Sequence, residues 1–169
     1  MDDAHAWLDA RTTLIPNKNW QEIFFFERWN THAMYCYDAA GNILEFAARH
    51  NLKNPSAEAF GSAHILCVSE IGLTTDDVLA QTSRFISKMG LSSFQETVNN
   101  NFVALGDEHG LVLLARKGRE WYPNTGKYAT FTPVKMRVDV NGRAFEVEAC
   151  EKRGLFGGRS EEIEIRPLK

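Results

Sequence analysis

The chain is predicted to fold as α+β, and three observations point there. Two apolar runs, Ala33 to Tyr37 and Ile43 to Ala47, flank Asp38-Ala39-Ala40-Gly41-Asn42. A short glycine-containing loop between such runs reads as a β-hairpin. A strand, a helix and a second glycine-turn hairpin then recur between residues 64 and 115. Last, Asn141-Gly142 sits between two alternating stretches, which is the strongest short-range hairpin signal. The order reads βα-ββ twice over, with the first strand absent and a C-terminal extension.

Residues 2–11 read as a short helix. Ala6, Trp7 and Ala10 can share a face, and the leading aspartates suit its N-terminus. Leu14 to Asn19 is a turn-rich break. Trp20 to Arg28 reads as a strand, whose Phe24-Phe25-Phe26 core predicts burial on both faces. The first hairpin occupies about 33–48. Residues 49–62 have linker composition, and His64 to Leu73 reads as the next strand. Asp76 or Asp77 caps a helix to Met89, ended by Gly90, with Val78, Thr82, Phe85, Ile86 and Met89 on one face. Phe102 to Leu105 and Leu111 to Ala115 form the second hairpin. Residues 116–132 are a polar-aromatic loop. Val134 to Val140 and Arg143 to Ala149 form the third hairpin, and Glu162 to Arg166 a terminal strand.

At 169 residues, one compact domain or two small modules sharing a sheet is expected, and 44% hydrophobic residues suffice for a core. A net charge of -3 gives no support for nucleic-acid or membrane-surface binding. No apolar run approaches the roughly 18–20 residues that span a bilayer. The acidic start, MDDAHAWLDAR, lacks a signal-peptide pattern. Cys36, Cys67 and Cys150 are widely spaced and odd in number. They fit reduced, buried thiols in a cytoplasmic protein.

If Asp38 and Asn42 face each other, Tyr37 lies opposite Ile43, Cys36 opposite Leu44 and Tyr35 opposite Glu45. Strand alternation then puts Tyr35, Tyr37, Ile43, Glu45 and Ala47 on one side. Met34, Cys36, Leu44 and Phe46 take the other, an apolar face expected to pack on a helix. A mid-strand carboxylate among aromatics is a local inconsistency of the kind that marks sites.

The run YDAAGNILEF resembles the F-x-D-P-D-G-N-x-x-E hairpin of the vicinal oxygen chelate superfamily, with Ala39 in place of the proline. That superfamily includes glyoxalase I, bleomycin- and fosfomycin-resistance proteins and extradiol dioxygenases. SEIGLTTDD is similar to its module-opening x-H-x-x-L-x-x-x-D, with Glu70 at the usual metal-binding histidine. The resemblance covers about residues 2–116. It implies two β-α-β-β-β modules forming one curved mixed sheet with helices on its convex side. Here residues 1–49 would be a truncated first module, 50–62 a linker, 63–116 the second module and 117–169 an extension. The missing first strand implies an upstream segment lost by truncation, gene start or evolution. The exposed edge would be covered by the third hairpin or the terminal strand.

The resemblance also implies four ligand positions: the absent first strand, Glu45, Glu70 and Leu114. Two carboxylates without an imidazole suit zinc or ferrous iron poorly. They suit Mg²⁺, Mn²⁺ or Ca²⁺, or the protein works without a metal. Glu45 and Glu70 are therefore the candidate catalytic and metal residues. Tyr35 and Tyr37 either line a small-molecule pocket or simply pack. Glu45 and Glu70 have a plainer reading, as residues bonded to neighbours. His32 falls on the opposite face from Glu45; His50 and His64 flank the linker. His109, with Asp107 and Glu108, sits in a solvated turn. The loop Arg116 to Lys127 either closes over an anionic ligand or is an exposed basic-aromatic loop. Gly154 to Arg159 lacks the Gly-Lys-Ser/Thr ending of a phosphate loop. The implied activity is that of a metal-dependent lyase or isomerase on a small oxygenated metabolite. The alternative is a metal-free small-molecule binding protein of the bleomycin-resistance type. Either is expected as a homodimer, with strand exchange plausible across the open edge.

Overall fold

The computed structural model describes residues 1–54, 58–96, 98–153 and 159–168. Among the described residues it is α+β, with two α-helices and nine strands in three three-stranded sheets. By backbone contact the chain divides into two units. Met1–Cys67 with Tyr122–Thr125 is the first, and Val68–Trp121 with Gly126–Lys169 the second.

The first unit opens on α1 (Asp2–Asp9), with Asp2 and Asp3 in its first turn, where carboxylates favour the helix N-terminus. β1 (Phe24–Phe26), β2 (Thr31–Tyr37) and β3 (Ile43–Arg49) follow as an antiparallel sheet in chain order. The expected register holds residue for residue: Tyr35 pairs with Glu45, Cys36 with Leu44 and Tyr37 with Ile43. The turn shows why. The Asp38 carboxylate accepts from the amides of Ala40 (2.9 Å) and Asn42 (2.7 Å) and from the Asn42 side chain (2.8 Å). Those bonds hold its pKa below the usual carboxylate range, the Asn42 side-chain bond being the largest cause. The Met34–Cys36 face packs on Leu8 of α1, with Trp7 and Phe46 beside it. A helix covers that face, as the alternation requires. Its central contact is Leu8; of the expected stripe Trp7 is half-buried, while Ala6 and the C-cap Ala10 are exposed.

β1 is shorter than the Trp20–Arg28 strand expected, because Glu27–Trp29 turns as a 3₁₀ helix. Phe25 is 54% exposed, so the strand is not buried on both faces. A three-residue edge strand has one face on the sheet's core, and Phe25 falls on the other, stacked on His32.

In the second unit, β4 (Glu70–Thr75) runs parallel to β6 (Gly110–Arg116), and β5 (Phe102–Asp107) pairs antiparallel to β6 on its other side. The residues from 65 to 69, read as part of the preceding strand, lie outside the ladder. The connection from β4 to β5 runs through α2 (Val78–Met89). Asp77 caps α2 by accepting from the Ala80 amide at 2.9 Å, and Gly90 closes it at φ 77°. Val78, Thr82, Phe85 and Met89 are buried as the spacing predicts. Ile86 is 44% exposed: at one step past Phe85 it lies at the edge of the apolar stripe.

β7 (Val134–Val140), β8 (Arg143–Arg153) and β9 (Arg159–Pro167) form the third, antiparallel sheet. Asn141 and Gly142 both take positive φ, 52° and 77°, as the two-residue turn demands. β9 pairs with β8, so the terminal strand completes its own sheet instead of extending the β1–β3 edge. The single continuous sheet expected is thus replaced by three separate ladders. The physical reason lies in the core of the second unit. Phe85 and Met89 of α2 pack with Leu73, Val103 and Leu114 of one sheet and with Phe145, Val147, Ile163 and Ile165 of the other. The extension's apolar face is consumed there. Leu114, at the fourth ligand position, is wholly buried in this core.

The three thiols are unpaired by disulfides; Cys36 is buried, Cys150 half-buried and Cys67 exposed, which corrects the expectation that all three are buried. The Gly154 to Gly158 stretch lies outside the described residues. Among the described residues no helix is long and apolar enough to cross a membrane.

Candidate functional site

Glu45 stands on the face of the first hairpin that α1 does not cover. Register places Phe24, Phe26, Thr31, Ala33, Tyr35, Ile43 and Arg49 on the same face. Tyr122, contributed by the short segment that belongs to the first unit, packs onto it. Its ring meets Phe24 at 5.3 Å, Phe26 at 5.3 Å and Tyr35 at 5.5 Å, each edge to face. Phe24 and Tyr35 also meet at 5.4 Å. Such contacts set ring positions as well as burying area.

Two polar groups share this aromatic surface. Glu45 is exposed, while Tyr122 is 37% exposed. Burial raises the Tyr122 phenol above the ordinary tyrosine range, and the Glu45 charge raises it further. The face therefore carries a carboxylate and a phenol that keeps its proton at neutral pH. One accepts a proton and the other donates a hydrogen bond. Arg49, opposite Thr31, is buried to 6% exposure at the base of the same face.

The two tyrosines proposed as pocket lining separate. Tyr35 is 4% exposed and serves as packing under Tyr122; Tyr37 is 38% exposed at the turn end of β2. Glu70 is the first residue of β4, half-buried and paired in register with Leu111. It belongs to the second unit, and Glu45 to the first. Among the described residues no three His, Cys, Asp or Glu side chains gather as a metal-holding group. The first unit presents Glu45 with phenols for neighbours, oxygen donors alone, which suit a hard divalent ion better than zinc or ferrous iron.

The histidines are placed by local contacts. His32 Nδ1 lies 2.6 Å from His50 Nε2, on the face opposite Glu45. His64 stacks on Phe60 at 5.5 Å, and its Nδ1 accepts from the Gly61 amide. The His109 amide donates to Asp107, as in an ordinary solvated turn.

Sequence reasoning does not single out Arg49, and it includes Tyr122 only as part of the Arg116–Lys127 loop. The signal for Tyr122 was present in Trp121-Tyr122-Pro123, an aromatic pair stopped by proline within a polar loop. Trp121 anchors the loop in the second unit: a Cβ on Gly72 would lie 2.8 Å from its ring, so β4 needs glycine there to admit the indole. No protein-family model matches the chain, and no curated protein sequence matches it.

Proposed function

We propose that this is a small-molecule protein of the vicinal oxygen chelate type, in which Glu45 is the working carboxylate. The observation that carries the reading is the hairpin register. It sets Glu45 opposite Tyr35 on a face where the Tyr122 phenol stands beside it. The order β4-α2-β5-β6, with β4 parallel to β6, supports it as a module one strand short of β-α-β-β-β. On this reading the substrate is a small oxygenated metabolite and the reaction a lyase or isomerase step. Glu45 takes a proton from the substrate, and Tyr122 donates a hydrogen bond to an oxygen that gains charge. A divalent ion of the Mg²⁺, Mn²⁺ or Ca²⁺ kind belongs to the proposal, held by Glu45 with water or substrate oxygens completing its shell. When bound, such an ion would stabilise an enolate or oxyanion. A cytoplasmic location and a homodimer, strand-exchanged or not, complete it.

A second reading is a metal-free binding protein of the bleomycin-resistance type. The observation in its favour is a pair of part-exposed rings, Tyr37 on the same strand face as Glu45, and Tyr122. Flat ligands stack on such rings.

One experiment separates the two. Melting of the full chain is followed in added Mn²⁺, with E45A and E70A as controls and sizing chromatography alongside. The enzyme reading expects a Mn²⁺-dependent rise in melting temperature that E45A abolishes. If native protein, E45A and E70A all respond alike, that reading is dead. A monomer at high concentration removes the dimer.

A further inference from the structure

We infer that the second unit binds a small oxyanion, a phosphate or carboxylate group, in the cleft where the chain leaves β6. The cleft has a volume of about 290 Å³ and is lined by Asn101, Arg116, Lys117, Gly118 and Arg119. It lies apart from Glu45 in chain and unit, and the inference stands whether or not the proposed function does.

Three cations converge there, and their compensation is uneven. Lys117 Nζ is paired with Glu161 at 2.6 Å and also feels Asp76, so its charge is already answered. The Arg116 side chain makes no hydrogen bond or ion pair among the described residues; its amide donates to the Asn101 carbonyl, which ties one wall to the other. Arg119 is the informative residue. Its guanidinium lies 4.6 Å from the Phe102 ring centre and 5.9 Å from that of Trp121. One of its nitrogens donates to the Glu120 carbonyl at 3.1 Å. Among the described residues no carboxylate reaches it. Burial alone pulls the Arg119 guanidinium below the ordinary arginine range, in keeping with a charge held from water without a counter-charge.

A half-buried cation costs free energy unless something opposite in charge meets it. Ring faces supply part of the compensation. Both rings contact the guanidinium, whose N–H donors form a planar fork. That fork matches two oxygens of a carboxylate or phosphate, a bidentate geometry a lysine cannot reproduce. Asn101 offers a carboxamide donor on the same lining, and Arg116 a second guanidinium from the solvent side. The turn is held firm behind them: the Gly118 amide donates to the Ala129 carbonyl at 2.8 Å and the Ala129 amide returns a bond to Arg119 at 2.7 Å. The recognised chemistry is thus a compact oxyanion, carried by a larger ligand or free.

The test is a titration of ¹⁵N-labelled full-length protein with inorganic phosphate and, separately, acetate. Ionic strength is held constant with sodium chloride. The expected result is saturable shifts confined to the amides of residues 116–119 and the Arg119 Nε–H, with one anion or both. Binding should weaken at least tenfold in R119Q and severalfold in R119K, which keeps the charge and loses the fork. R116Q alters an exposed side chain, keeps the fold, and should weaken binding severalfold. K88Q, a charge change on the exposed side of α2, should leave it unaltered. Saturation by neither anion overturns the inference, as does equal affinity in R116Q and R119Q, or an equal loss in K88Q. Those results would mean that the ring faces alone satisfy Arg119.

Discussion

Tyr122 is where one side chain reports on its neighbours. Its phenol is held protonated first by burial and then by the charge of Glu45. The sign follows from linkage: a group whose folded pKa is raised adds stability that is fully present below its unfolded pKa, about 10 for tyrosine. That stability is lost as pH rises through the folded value. Native protein should therefore lose stability in the alkaline range above about 10. In E45Q the Tyr122 titration should move down toward the ordinary range without reaching it, because burial remains. Ultraviolet difference titration of native protein against E45Q, with Y122F to assign the signal, checks this. A Tyr122 midpoint unaltered by E45Q would remove the carboxylate from its surroundings. Alternation and turn chemistry made the Glu45 side of this pair legible in the sequence. Tyr122 was not legible, because a residue 77 positions from Glu45 meets it only through tertiary folding.

Among the elements, α2 is the one whose limits rest on single side chains. Asp77 supplies the N-cap bond to Ala80, and Gly90 supplies the left-handed residue that ends the helix. D77A should cost about 1 kcal/mol of stability, the usual range for a lost cap. D77N or D77S should recover most of it, as read by urea unfolding. The strands behave differently. Trp20 to Arg28 has the composition of a buried strand, yet only Phe24–Phe26 pairs. β-Propensity describes fit to a half-buried pleated surface, so the length of a strand depends on the partner available. The same holds for residues 65–69, whose Leu66 and Val68 are 69% and 90% exposed despite strand-like sequence.

For the molecule, the second unit shows how a C-terminal extension becomes structural. Phe85 is wholly buried in a cluster that takes side chains from α2, from β4–β6 and from β7–β9. F85A should destabilise by about 3–5 kcal/mol, the range for deleting a buried phenylalanine. F25A, at a ring 54% exposed, should change little. Equal losses from the two, measured by denaturant melts, would mean that the cluster does not hold this unit together.

Local rules were enough for the hairpins, their register and the limits of α2. Asp38, Asn42, Asn141-Gly142, Asp77 and Gly90 each act within a few residues of themselves, so their effect is written in the chain. Alternation then assigned the apolar Met34–Cys36 face to a helix without any long-range knowledge. What the chain did not reveal was which elements share a core. The terminal strand pairs with β8 and not with the β1–β3 sheet, and Arg119 contacts the rings of Phe102 and Trp121. These outcomes depend on which apolar faces find one another across many residues, and hydrophobic burial has no direction along the sequence.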